Sequence, residues 1–460
     1  MSQRFDLPAI GPAVPIVFPR PTKALLPSGL NVRAIHWPAA PVVSIALLVP
    51  GGAASDPPDR PGLMGIVADM LDEGAGPRDT IELAEAFARL GTHLDIDITP
   101  DATTIGLTTL SRNLTPALEL MGDVLIRPHL DQAGLDRVRE LRASRLQQLR
   151  RSPAAPADRA LLRAVFGDHP YGHGVLGTTR SLEAITLDEV RERWATTFTV
   201  SGATLIIAGD VAPDFAGDTA TALFSTDSAR RRTGLRSEGY GDPDLVRPNL
   251  PKTASSPSFY FVDRPDAPQS EVRVGQPGPS RQTPDYHALV TLNALLGGQF
   301  TSRINRNLRE TRGITYGARS AFDFRRMAGS FECDASVQSD ATADAVREIL
   351  REIRDVRREG AIEPAELSQS KASLTRGYAR GFETARQLVR SAAHLALHDL
   401  HDDTFDRFVP VVEQLTAADL SDAAARHLDE SQCSIVVVGD SKHRASLEEF
   451  GAVELIEPEF

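Results

Sequence analysis

A chain of 460 residues is too long for one ordinary hydrophobic core and long enough for two or more domains. Its 41% hydrophobic and 24% charged residues are those of a globular protein, and a net charge of −12 argues against a nucleic-acid or anionic-membrane partner. Two distant cysteines, Cys333 and Cys433, make neither a disulfide framework nor a cysteine metal site.

The opening MSQRFDLPAIGPAVP lacks the apolar stretch of a signal peptide. The cytoplasm is therefore the expected compartment by default, with the periplasm the alternative for a chain whose leader has been removed. Val42 to Val49 reads as a strand and is far short of a membrane span. Gly62 to Leu71 reads as a helix. Thr80 to Leu90 is a second helix by the spacing of Ile81, Leu83, Ala84, Phe87 and Ala88, closed by Gly91. His93 to Leu110 reads as a hairpin turning at Pro100-Asp101, and Leu114 to Ile126 and Leu135 to Leu149 as further helices.

The chain then repeats itself. ITLDEVRERWATTF from Ile185 precedes ATLIIAGDV; LTAADLSDAAARHL from Leu415 precedes CSIVVVGDS. Thr186 and Thr416, like Gly209 and Gly439, stand 230 positions apart. Each copy predicts a helix capped by a Thr-x-x-acid box, followed by a buried strand, Leu205 to Ala208 or Ile435 to Val438, that ends in Gly-Asp. Two homologous halves follow, residues 20–224 and 258–445. The Pro-, Ser-, Gly- and Arg-rich stretch 225–257 is expected to be the linker. Mixed strands and helices with hairpins indicate an α+β fold, two sandwiches of a sheet against helices.

In the second half, Gly297 and Gly298 follow the apolar run Ala294 to Leu296. They suit a helix end or a close backbone approach, and with no Lys-Ser/Thr after them they are not a phosphate loop. His394 and His398, i, i+4 on a helix, with His401, Asp402 and Asp403 beyond, could hold a divalent ion or be helix-surface or partly buried residues. His169 and His173 have the same spacing but straddle Pro170 and Gly172, so they do not share a helix face. No nucleophile elbow is present.

From about Leu26 to about Asp440 the order of motifs resembles the pitrilysin/insulinase zinc peptidases, in particular the smaller branch that includes mitochondrial processing peptidases. LPSGLNVRAI, PGLMGIVADMLDEGAG, DHPYGHGVLGTTRSLEAIT and above all LLGGQFTSRINRNLRETRGITYG carry the resemblance. It implies an inverted His-x-x-Glu-His helix that binds zinc with a third carboxylate roughly 75 residues on, the glutamate serving as general base. At those positions this sequence has Gly65, Ala68 and Asp69, and Ser144 to Leu146 offers no carboxylate. The expectation is a degenerate zinc site, no catalytic residue in this chain and no metal bound by it.

The resemblance further implies that Arg309 and Tyr316, seven residues apart, reach a zinc site and meet the charge developing on a scissile carbonyl. The alternative places Arg309 on an exposed helix face and Tyr316 in the core. The implied function is that of a non-catalytic subunit. It pairs with a homologous zinc-bearing chain into a clam-like heterodimer, or a higher assembly, around a peptide chamber. Zinc sits in the partner, this chain supplies Arg309, Tyr316 and a chamber wall, and an edge strand near His93 to Thr99 takes an extended peptide. The alternatives are a structural or assembly protein of the same fold with no part in proteolysis, and a homodimer that binds peptides without cutting them.

Overall fold

The computed structural model describes residues 15–212, 214, 258–458 and 460. The expected linker, 225–257, lies outside the described residues, as do most residues from 213 to 224.

Fourteen strands are described. In the first half β1 (Thr22–Leu25), β2 (Asn31–His36), β3 (Val42–Pro50), β6 (Asp95–Ile98), β7 (Ala102–Leu110) and β8 (Thr204–Gly209) form one sheet in the order β1-β2-β8-β3-β7-β6; β4 (Gly74–Ala75) and β5 (Arg78–Asp79) make a separate small ribbon. In the second half β9 (Phe259–Asp263), β10 (Gln269–Gly278), β11 (Thr315–Phe324), β12 (Gly329–Gln338), β13 (Ser434–Gly439) and β14 (Val453–Leu455) form the order β11-β12-β10-β13-β9-β14. Both sheets are mixed: β2 runs parallel to β8, and β9 parallel to β13. The fold is thus α+β, two α/β halves built alike, as the internal repeat implies.

The repeat is visible atom by atom. Thr186 accepts from the Glu189 N–H while Glu189 accepts from the Thr186 N–H, and Thr416 with Asp419 does the same; each box opens the helix preceding the strand it was expected to precede. Thr80–Arg89 is a helix, with Gly91 at φ 70°, the left-handed conformation that ends helices. The 93–110 hairpin is β6 and β7, and β6 is an edge of its sheet.

Apolar strands β8 and β13 are buried along their whole length because each sheet is covered on both faces. Leu205 and Ile207 point into a core built with the first half's own helices, whereas Ile206 and Ala208 pack on Leu388, Val389, Ala392 and Leu395 of the second half's helix Ala385–Leu397. Conversely, Ile435 and Val437 face the second half's own core, and Val436 and Val438 meet Ala157, Ala160, Leu161 and Val165 of the first half's helix Ala154–Phe166. Each half lends the other a helix. At the joint, the Asp101 carboxylate between β6 and β7 accepts from the Tyr171 hydroxyl and from the Arg326 N–H (2.9 Å), and the Met327 N–H donates to the Tyr171 oxygen (3.2 Å). Burial beside this carboxylate pushes the Tyr171 phenol far above its ordinary range.

Candidate functional site

Gly65, Ala68 and Asp69 lie on the short helix Leu63–Asp69, whose first six residues are all buried. Its entry is fixed by Asp56, which accepts from the Gly62 and Met64 N–H groups, both at 2.7 Å; burial pushes this carboxyl up to about 7 against those two bonds. Gly62 turns the chain at φ 93° and packs so closely on Gly177 that a Cβ would lie 2.8 Å from the Gly177 Cα.

What occupies the face of Gly65 and Asp69 is arginine. Arg142, on the helix Gln132–Arg151, is only 2% exposed. Its Nε donates to Asp69 Oδ2 at 2.8 Å and its Nη1 to the Val175 carbonyl at 3.1 Å. One helical turn on, Arg145 Nη1 stands 3.7 Å from the same carboxylate oxygen. A Cβ at Gly65 would lie 2.5 Å from Arg142 Nη2 and 2.7 Å from Cζ, so the absence of a side chain there is what gives the guanidinium its room. A zinc ion needs three or four electron-pair donors around an open volume. Here a single carboxylate faces two cations and the volume is filled by one of them. This donor set does not fit zinc.

The sequence reading places the absent third ligand within Ser144 to Leu146 and weighs only carboxylates. A search for carboxylates alone misses Arg142 and Arg145, which lie 73 and 76 positions after Asp69 and share a helix face with each other at i, i+3. A reversed charge at the expected position of a metal ligand was the available signal.

Arg309 and Tyr316 belong to the second half. Arg309 lies in the π-helical turn Arg306–Thr311, a rare distortion that is frequent at functional sites. The turn is held from behind: Asn307 Nδ2 donates to Glu348 Oε2 (2.7 Å) and Glu352 Oε1 (2.8 Å), and Arg303 pairs with Glu366. Arg309 is half-buried over the ring of Phe300, 3.9 Å from its centroid, and its Nη1 is buried with no hydrogen-bond partner among the described residues. Tyr316 is not a core aromatic: it is 90% exposed. It sits where the pairing of β11 with β12 slips between Thr315 and Ala318, a bulge that turns the side chain out of the sheet. Thr315 locks the bulge by donating to the Ser336 carbonyl at 2.6 Å and accepting from the Gly317 N–H.

Gly297 and Gly298 serve both suggested ends. They terminate the helix Tyr286–Leu296, each donating to the Asn293 carbonyl, and a Cβ on Gly297 would lie 2.6 Å from the Ser320 nitrogen of β11. Among the described residues no hydrogen bond or ion pair joins Arg309 or Tyr316 to the Gly65–Asp69 helix.

The alternative metal cluster resolves into something else. His394 and His398 do lie together, their tilted rings 4.6 Å apart between centroids, but Arg281 Nε donates to His394 Nε2 at 3.1 Å, so the lone pair a metal would need there is taken by a cation. Burial pushes the two imidazoles down to about 3 and about 4. His401 is bound to Asp403 and Asp402 to Lys23. His169 accepts from the Tyr171 N–H within the aromatic joint. Among the described residues no group of three or more metal-ligating side chains is assembled, and no helix is long and apolar enough to cross a membrane.

Two family models match in succession: "Insulinase (Peptidase family M16)" over residues 31–179 and "Peptidase M16 inactive domain" over 184–374. An uncharacterized zinc protease of Mycobacterium tuberculosis is 25% identical over 441 residues, covering 96% of this chain and 98% of its own length. A non-peptidase homolog of Helicobacter pylori is 20% identical over 407 residues, 87% of this chain and 90% of its own. The crystal structure of a peptidase M16 inactive domain from Pseudomonas fluorescens matches with a TM-score of 0.81 at 22% identity, covering 92% of this chain and 98% of that one, a likeness of fold.

Proposed function

Since the chain belongs to the insulinase (M16) family of peptidases, we propose that it is the non-catalytic subunit of a zinc peptidase. It presents Arg309 and Tyr316 to a peptide held at the zinc site of a homologous partner. One observation carries this reading. The position of the metal is filled by the guanidinium of Arg142, while Tyr316 is turned out of its sheet and Arg309 keeps an unpartnered donor. A scissile carbonyl becomes more negative as it is attacked, and positioned guanidinium and phenol donors strengthen their hold as that charge grows. This chain has no group at the Gly65–Asp69 helix to activate a water. Ala68 stands where the base would be, and Asp69 is neutralised by Arg142 and Arg145. β6, an unpaired sheet edge, supports the idea that an extended peptide adds there.

The test is reconstitution. The chain is purified alone and together with a homologue bearing an intact His-x-x-Glu-His motif, and peptide cleavage is assayed. Cleavage is expected only from the pair. Arg309→Ala or Tyr316→Phe in this chain should lower the pair's kcat by about 10²-fold, the usual effect of removing one transition-state donor. Full activity of the pair with both substitutions would remove this chain from the chemistry.

A structural or assembly role without proteolysis is the second reading, favoured by the non-peptidase homolog among the relatives. It predicts that the pair is indifferent to both substitutions.

A further inference from the structure

Beside the two residues of the proposed substrate surface stands a third, Phe300. Phe300 is 63% exposed, in a turn whose other residues are small or polar, and the Arg309 guanidinium carbon lies 3.9 Å from its ring centroid. An isolated exposed phenylalanine needs no explanation. This one is held in place by a chain of fixed contacts.

Gly297 packs against the Ser320 backbone of β11, and the Gln299 side chain donates to Ser373 at 2.6 Å. The Gln299 carbonyl accepts from Asn305 Nδ2 at 3.1 Å, and Asn305 Oδ1 in turn accepts the Ala318 N–H at 2.9 Å. Asn305 therefore ties the turn bearing Phe300 to the bulge bearing Tyr316, and it opens the helical segment that runs on to Arg309. Three side chains are positioned by one buried amide. With its ring against the guanidinium, the exposed remainder of Phe300 is an apolar surface next to a half-buried cation.

We propose that Phe300 is a specificity-determining residue of the peptide-binding surface. Its ring holds the Arg309 guanidinium beside the peptide backbone, and its open surface takes an apolar or aromatic side chain of the same peptide. The ligand class is an extended peptide with a large apolar residue at the bound position. This inference rests on the reading of the chain as a peptide-binding subunit.

The experiment uses the full chain with its zinc-bearing partner and a set of ten-residue peptides that differ at one position: Phe, Leu, Ala or Glu. The unmodified pair is expected to prefer Phe and Leu over Glu by about 10-fold in kcat/KM, the discrimination an apolar contact supplies. Phe300→Ala should lower kcat for every peptide alike, because it releases Arg309, and in addition raise KM about fivefold for the Phe and Leu peptides only, so that the preference over Glu is lost; Phe300→Tyr should restore both. If Phe300→Ala keeps the full preference while Arg309→Ala still impairs every peptide, the inference is overturned and the functional reading stands. If neither substitution changes any rate, both fall together.

Discussion

Arg142 Nε stands 2.8 Å from Asp69 Oδ2, and the guanidinium it belongs to fills the space left by the missing side chain of Gly65. A fixed organic cation thus joins two helices and, through the Val175 carbonyl, the segment after Tyr171. The substitutions are coupled: glycine makes the room, aspartate supplies the counter-charge, and arginine satisfies both.

Restoring the motif is therefore expected to fail piecemeal. With Gly65→His, Ala68→Glu and Asp69→His in place, Arg142 and Arg145 still put two positive charges at the metal position. Zinc content by elemental analysis should stay below about 0.1 per chain. Adding Arg142→Ala, Arg145→Ala and Leu146→Glu should raise it toward one.

Within the native pair, the two partners should respond unequally. Asp69→Ala leaves a buried guanidinium with no carboxylate, and urea unfolding should show a loss of about 3 kcal/mol. Arg142→Met, which fills similar volume and leaves Asp69 close to Arg145 and water, should cost about 1 kcal/mol.

His394 and His398 give the fold an acid-sensitive point. Both imidazoles titrate near 6.5 when unfolded and at about 3 and about 4 in the fold, so the unfolded chain binds more protons between those values. Their stability is complete above pH 6.5 and is lost as the pH falls, by about 2 kcal/mol each between pH 7 and pH 5. Asp56, raised to about 7, acts with the opposite sign in the same window: its contribution is lost as the pH rises. The comparison that isolates the histidine is His394→Gln, which keeps an acceptor for Arg281. The unmodified chain should lose about 2 kcal/mol more than this variant over that interval in urea titrations.

The exchange of helices makes the halves interdependent. Without Ala385–Leu397, the first half exposes Phe18, Ile35, Ala46, Leu48 and Ile206. Fragments 1–224 and 225–460 should each be insoluble or molten when made alone and should form a stable complex when made together, as judged by size-exclusion chromatography. Two independently stable, non-associating fragments would contradict the packing described.

Local chemistry was legible in the sequence where it is self-contained. Thr186 and Thr416 announce their helices because a capping box involves only residues three apart, and Gly91 marks a helix end because only its own backbone conformation matters. The apolar runs of β8 and β13 say that both strand faces are buried, but not by what. The answer lies about 180 residues away for β8 and about 270 for β13, beyond any local pattern. At the Gly65–Asp69 helix the residue types were readable by position, and so was the positive charge of Arg142 and Arg145, but that Arg142 points at Asp69 is known only from the geometry. Tyr316 is exposed because of a bulge in β11, and pairing slips of that kind leave no simple trace in sequence.

The most direct test of the account is metal content and peptide hydrolysis measured together on the purified chain alone, with added zinc and without a partner. No stoichiometric zinc and no cleavage are expected, with Arg142 and Asp69 intact. One zinc per chain accompanied by chelator-sensitive cleavage would contradict it.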